Sequence, residues 1–413
     1  MLWGSISTIQ IIRSALAESG GNDLYTYWYA GLHIRQGTDP YRAFLDGVDP
    51  NLPIRFLDGE VADKRQIIRP ELQPAPGLTF PLIFLLTPFA WFSFQTAKIG
   101  WFILLMLMNL LIPGLSFIAL FKQKHIPKLP YLVMLAIFMG FSSTRYASIS
   151  GQPSILVIAL MLLAWIWAKD RPYLSGILLG IALSKYSIAL GFWIYFTFFE
   201  WRPKLSLSAA GVQIVGLVGL AWLGEISILQ AIDGYIQLFL HHAPMEGIQL
   251  TSLLPGISAY SPPLAIGLTL VTGIPLVALR RRIALESKPL ESQLILRSLL
   301  LTVLTFWSLM VAYHRAYDLQ VFIIVLGSAY LIWQEMNQVQ MSKGTVLASG
   351  IYVVFSILIL SLPAGGLLRT WLPAELGSVW IRVVLRASTW VIMIGMGFSI
   401  TLLFRLTPQR NPG

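Results

Sequence analysis

The chain contains no cysteine. That excludes disulfide bonds, thiol nucleophiles and any metal or iron–sulfur centre with cysteine ligands. Charge is scarce as well. Only 12% of the residues are Asp, Glu, Lys or Arg, against roughly 25% in a soluble globular chain. With so few charges, 413 residues cannot coat a water-facing surface of ordinary size, and a soluble domain is excluded. The opening MLWGSISTIQII reaches Arg13 before it could cross a bilayer and has no basic leading region, so it reads as neither a span nor a cleavable signal. The net charge of +10 does not imply nucleic acid, because the basic residues sit in short loops between apolar stretches, as in membrane proteins.

What the chain does have is apolar length. Hydrophobic residues make up 56% of it, and they come in blocks such as Gly100–Phe121 and Thr345–Pro363, each about the ~20 residues needed to cross a bilayer core. In lipid, backbone polar groups pair within their own segment, so these blocks are helices. The expected fold is all-α, a polytopic transmembrane bundle of about ten or more membrane helices. Residues 1–78 differ from the rest, holding nine of the 19 acidic residues together with the turn signals GTDPY, VDPNLP and PAPG. They read as an extracytoplasmic segment with short surface helices, one of them over Tyr25–Ile34 with aromatics on one side. Residues 79–404 form the multi-span domain and 405–413 a cytoplasmic tail.

Thr79–Phe92 is short and carries Pro81 and Pro88, which points to a re-entrant or shallow hairpin. Tyr173–Ser184 and Ile188–Phe199 are also shorter than a span. They meet at Lys185 and read as a pair rising to that lysine and returning. Placing the basic loops (Lys122–Lys128, Lys169 with Arg171, Arg202 with Lys204, Arg280–Lys288 and the tail) in the cytoplasm sends Arg145–Gln152, Lys185, Gly224–Pro262 and Tyr313–Asp318 to the outer face. No internal repeat of the kind that marks many transporters is visible.

Ionisable residues at membrane depth are costly and are candidates for function. The outward loops bring Asp23, Asp39, Arg145, Lys185, His241, His242, His314, Arg315 and Asp318 to one face. Carboxylates and cations together suit a reaction on an anionic, lipid-linked substrate: a cation neutralises phosphate and a carboxylate accepts a proton from an attacking hydroxyl. Each has a plainer reading. Asp23 in GGNDLYTYW could cap the helix that follows, Asp39 before Pro40 reads as a turn residue, and Lys185 could be a snorkelling lysine. His241 and His242 are adjacent, share no helix face and have no carboxylate at a ligand spacing, so no metal is expected. Interface anchoring accounts for the tyrosines of YHRAYDL but not for Arg315 and Asp318 together.

Several segments in order, NDLYTYWYAGLHIRQGTDPYRA, FPLIFLLTPFAWFSFQTAKIGWFILLMLMNLL, SGQPSILVIALMLLAW, DRPYLSGILLGIALSKYSIALGFWIYF and HRAYDLQVFIIVL, resemble glycosyltransferase family 87 from about Asn22 to Leu326. The resemblance implies a GT-C type fold and an inverting transfer of a sugar, mannose in the typical members, from a polyprenyl phosphate to an acceptor hydroxyl of a glycolipid or glycan. It implies no metal and no cofactor. Asp23 matches the family's acidic general base in the first outward loop. Lys185, Arg315 and Arg145 become the cations for the donor phosphate. His314, Asp318, Asp39, Tyr317 and Gln152 complete the expected site. The family carries a full span ahead of the acidic loop, and Met1–Gly21 holds no stretch of that length. The rival readings are a transporter or flippase of lipid-linked sugars, which would want its polar residues at the bilayer midplane, and a non-catalytic protein that binds polyprenyl lipids.

Overall fold

The computed structural model describes residues 8–13, 20–45, 78–121, 128–242, 290–311, 316–334, 343–361 and 387–406, with single positions at 17 and 273. Every regular element among these residues is a helix. The helices fall into two tiers, and the ion pair of Lys185 and Asp318 lies at the boundary between them.

The lower tier is built from short apolar helices. Ser154–Trp167 has 14 residues and Phe322–Gln334 has 13. At 1.5 Å per residue each rises about 20 Å, less than the roughly 30 Å of a hydrocarbon core. Between them, Pro172–Ala182 runs through a 3-10 turn at Leu183–Lys185 into Tyr186–Ile194 and a π-helical stretch at Tyr195–Phe199. As a single rod, Pro172–Phe199 would have the length and apolarity of a span, but it is not a single rod. A Cβ on Gly176 would lie 2.4 Å from the Leu205 carbonyl oxygen, and Ser208 donates to the Tyr173 carbonyl at 3.0 Å. At the other end, Thr197 and Ser206 share a hydrogen bond of 2.8 Å. A straight helix would hold Gly176 and Thr197 about 30 Å apart, yet both touch the start of Pro203–Leu223. The chain climbs to Lys185 and comes back.

Local sequence explains these pieces. Pro172 and Pro203 each start a helix, where a missing N–H costs nothing. Gly176 and Gly180 are one turn apart and let helix Pro203–Leu223 approach closely: a Cβ on Gly180 would come 2.6 Å from Val212 Cβ. Such small-residue contacts are how helices pack where no hydrophobic force drives them together. The returning arm is pinned at its far end by Glu200, which accepts from the Tyr195 hydroxyl at 2.7 Å and from Arg202 Nε at 3.1 Å and lies 3.3 Å from Arg297 Nε.

Phe94–Phe121 (28 residues) and Pro203–Leu223 (21 residues) continue past the level of Lys185 and form walls for the upper tier. Helix Phe80–Leu86 and the 3-10 turn Thr87–Trp91 sit on the Lys185 turn: Thr79 N donates to the Ser184 carbonyl at 2.9 Å and Leu82 N to Ser184 Oγ at 3.0 Å. Gly216 lies against Pro81, with an added Cβ 2.6 Å from its Cα. Helix Asn22–Arg35 packs on this piece through Gly31, which touches Ala90 and Thr87. The sequence led us to expect a surface helix here. Instead Leu24, Tyr25, Thr26, Tyr27, Tyr29, Ala30, Gly31 and Ile34 are buried, because the aromatics surround the helix rather than lining one side. Tyr25 meets Phe94 edge-on at 5.1 Å and Trp28 meets it at 5.6 Å.

Among the described residues, four helical stretches are long and apolar enough to cross a membrane: Phe94–Phe121, Pro203–Leu223, Gln293–Met310 and, counted end to end, the folded-back Pro172–Phe199. The pair Lys128–Gly140 and Ser142–Ser150 is bent by 65°. The sequence-based count of ten or more spans draws in part on segments outside the described residues. Because the arms on either side of Lys185 return to one level, Lys169 and Lys204 lie at the same end of the bundle, with Lys204 Nζ 5.7 Å from the Tyr173 ring. The native chain has no thiol, so single cysteines report topology cleanly. Lys169→Cys and Lys204→Cys are expected to label with an impermeant maleimide from one side of sealed vesicles, and Gln36→Cys from the other. Labelling of 169 and 204 from opposite sides would mean that Pro172–Phe199 crosses once.

Candidate active site

At the tier boundary, two helix N-termini meet the Lys185 turn. Ser154–Trp167 begins just after Gly151, Gln152 and Pro153, and Phe322–Gln334 follows the 3-10 turn Ala316–Val321. Lys185 Nζ stands 2.9 Å from Asp318 Oδ1, the two side chains 8% and 2% exposed. The same ammonium donates to Gln152 Oε1 at 3.2 Å, and Ser154 Oγ donates to Asp318 Oδ1 at 2.8 Å. Four residues from three parts of the sequence thus form one buried polar cluster. Lys185 is no free cation here: its charge is balanced by Asp318, and the pair fixes the Gln152 turn.

Helix Asn22–Arg35 starts on that same turn. Gly21 N donates to the Ile149 carbonyl at 2.9 Å, and Trp101 Nε1 donates to the Gly151 carbonyl at 2.8 Å. Gly151 has φ +77°, and a Cβ there would come 2.8 Å from Leu24 Cβ. The left-handed turn and the close approach both require glycine. Asp23 is therefore carried beside the turn that holds Gln152. It does not cap its helix: Gly21 occupies the N-cap position, and no side chain caps it. Asp23 lies in the first turn, half-buried, with no hydrogen bond or ion pair among the described residues.

The other expected residues divide. Asp39 caps a short helix, Pro40–Leu45, accepting from Tyr41 N at 2.9 Å and Arg42 N at 3.3 Å, which is the turn role its sequence suggested. Behind it the Tyr41 phenol is fully buried and donates to the Leu78 carbonyl at 3.2 Å. Burial, and then the neighbouring Tyr235 and Asp39, push its pKa well above the ordinary tyrosine range. Arg145 lies on helix Ser142–Ser150 and donates to Gln10 Oε1 at 3.2 Å. Tyr317 belongs to the turn that carries Asp318, with its side chain outside what is described. His314 and Arg315 lie outside the described residues, as do the side chains of His241 and His242.

Two residues escaped the sequence reading. Ser154 binds Asp318, but a serine after Gly-Gln-Pro carries no signal of its own. Lys98 is 3% exposed. Its ammonium donates to the Ala17 carbonyl at 2.8 Å and its stem packs on Gly21, so a buried cation braces the lead into Asp23. A lone lysine one turn inside an apolar span, FQTAKIGWF, was the available clue.

The arrangement offers a partly exposed carboxylate, Asp23, on the same turn as a buried, internally neutral ion pair. That is equipment for accepting a proton and for handling an anionic leaving group. No curated protein and no solved structure matches the chain. A family model of glycosyltransferase family 87 matches residues 80–333, more than half of the chain. The matched stretch takes in Gln152, Ser154, Lys185 and Asp318 and leaves Asp23 outside, so it begins later than the resemblance read from Asn22 onward. By that match, and by its helical membrane architecture, the chain belongs to glycosyltransferase family 87.

Proposed function

We propose that this glycosyltransferase moves mannose from a polyprenyl phosphate to a hydroxyl of a glycolipid or glycan, with inversion, at the extracytoplasmic face. Asp23 takes the proton from the acceptor hydroxyl. The acceptor oxygen forms its bond to the anomeric carbon as the bond from that carbon to the phosphate oxygen breaks, and polyprenyl phosphate leaves with the electron pair. Arg145 and Arg315 carry most of the charge neutralisation at the departing phosphate. Lys185, already balanced by Asp318 at 2.9 Å, contributes mainly by holding Gln152 and Asp318 in place.

The observation that carries this reading is the shared turn. Gly21 is tied to Ile149 and Gln152 to Lys185, so the proposed base and the buried pair sit on one rigid piece. The gathering of Lys169, Lys204 and Arg297 at the opposite end supports the assignment of faces. Purified protein in lipid, offered polyprenyl-phosphate mannose or a nucleotide-linked mannose with a glycolipid acceptor, is expected to use only the lipid donor and to give the inverted anomer. Transfer from the nucleotide sugar, or a retained anomer, would rule the reading out.

A further inference from the structure

Beyond the ion pair lies a patch of buried polar atoms that the mechanism above does not use. Gln320 is fully buried, and neither its Nε2 nor its Oε1 has a hydrogen-bond partner among the described residues. The same is true of Asn109 Oδ1, Ser143 Oγ and Thr144 Oγ1, with Asn109 and Thr144 at 0% and Ser143 at 3% exposure. A packed core satisfies its polar groups, and each that goes unmet has a cost. The five atoms lie on three elements that pack together next to Asp318, and such a set calls for a ligand.

The elements that carry them pack together. Asn109 Nδ2 donates to Ser148 Oγ at 2.9 Å, and Thr144 stands one turn before Ser148 on the same face of Ser142–Ser150. The turn Ala316–Val321, with Gln320, packs along that short helix. Helix Phe322–Gln334 runs beside Phe94–Phe121, where Tyr330 lies 6.0 Å from Phe117 and 5.6 Å from Phe121. Asp318 reaches Ser154, two residues past the Gln152 turn that Trp101 holds through Gly151. The two helices therefore run in the same direction, and Gln320 comes level with Asn109 to within about a turn.

We infer that Gln320, Thr144, Ser143 and Asn109 line a subsite for an uncharged, polyhydroxylated group, the sugar ring of the donor; this rests on the transferase reading above. None of the four is ionisable, and between them they offer both donors and acceptors, which is what sugar hydroxyls need and a phosphate does not. A ring held there is bounded by the turn Ala316–Val321 and the short helix Ser142–Ser150. Its phosphate then lies toward the charged residues.

The test compares the full-length protein in lipid nanodiscs with Gln320→Leu and Thr144→Val. Three quantities are measured: melting temperature, its rise with added mannose 1-phosphate, and transfer from lipid-linked mannose and its C2 epimer, lipid-linked glucose. Because the removed atoms have no hydrogen-bond partner among the described residues, both variants are expected to melt no lower than wild type. Transfer of mannose should fall about tenfold or more, discrimination between the epimers should shrink, and stabilisation by the sugar phosphate should disappear. A lower melting temperature with transfer and discrimination unchanged would overturn the inference, since the atoms would then serve internal water alone. Wild type stabilised by mannose 1-phosphate in a Gln320-dependent way, yet transferring nothing, would support the subsite and sink the transferase mechanism. Wild type that transfers, with variants equal to it in every respect, would sink the subsite and leave the mechanism standing.

Discussion

Lys185→Met and Asp318→Leu, made singly, are each expected to destabilise the fold by about 3–5 kcal/mol, and the two together to restore most of the loss without restoring activity. The side chains are 8% and 2% exposed and 2.9 Å apart. Removing either leaves the other as a buried charge without its counter-ion, and that residual charge is the larger part of the penalty. Removing both replaces an ion pair by packed apolar groups, a change that buried pairs often tolerate. Transfer stays low in the double variant because Gln152 loses its tie to the Lys185 ammonium at 3.2 Å and the turn beneath Asp23 is no longer fixed. Thermal unfolding in detergent, followed for all four proteins, measures the coupling directly. Additive losses would mean that the pair contributes nothing as a pair.

Asp23→Asn is expected to lower transfer by about 10²–10⁴-fold while lowering the melting temperature by no more than about a few degrees. The substitution keeps the size and polarity of the side chain and removes its ability to accept a proton. Its stability effect is small because Asp23 caps nothing: Gly21 holds the N-cap position, and no bond to the Asp23 carboxylate exists among the described residues. What remains is a modest interaction with the helix dipole, about 0.3–1 kcal/mol.

The sequence carried the lower tier better than the upper one. Two apolar runs, each too short to span and joined at one lysine, could hardly do other than rise to Lys185 and return, and the contacts of Gly176 and Thr197 with the start of Pro203–Leu223 bear out that geometry. Asp39 behaved as Asp-Pro in a turn should. The partners of Lys185 were not legible. Gln152, Ser154 and Asp318 are distant in sequence, and nothing in local pattern says which helix ends meet. Helix Asn22–Arg35 reads as superficial because the first 78 residues are rich in charge, yet the stretch that forms the helix is aromatic on most sides and is buried. Lys98 and Gln320 were hidden by their setting: a single polar residue inside an apolar run shows its importance only when its neighbours in space are known.

The central claim is that a carboxylate at position 23 drives sugar transfer from a lipid phosphate. The most direct measurement is a transfer assay on purified protein in lipid, with radiolabelled polyprenyl-phosphate mannose and a membrane glycolipid extract, run with wild type and Asp23→Asn side by side. Label should pass to the acceptor with wild type and stay on the donor with the variant. Equal labelling of the acceptor by both proteins would contradict the account and remove Asp23 from the mechanism.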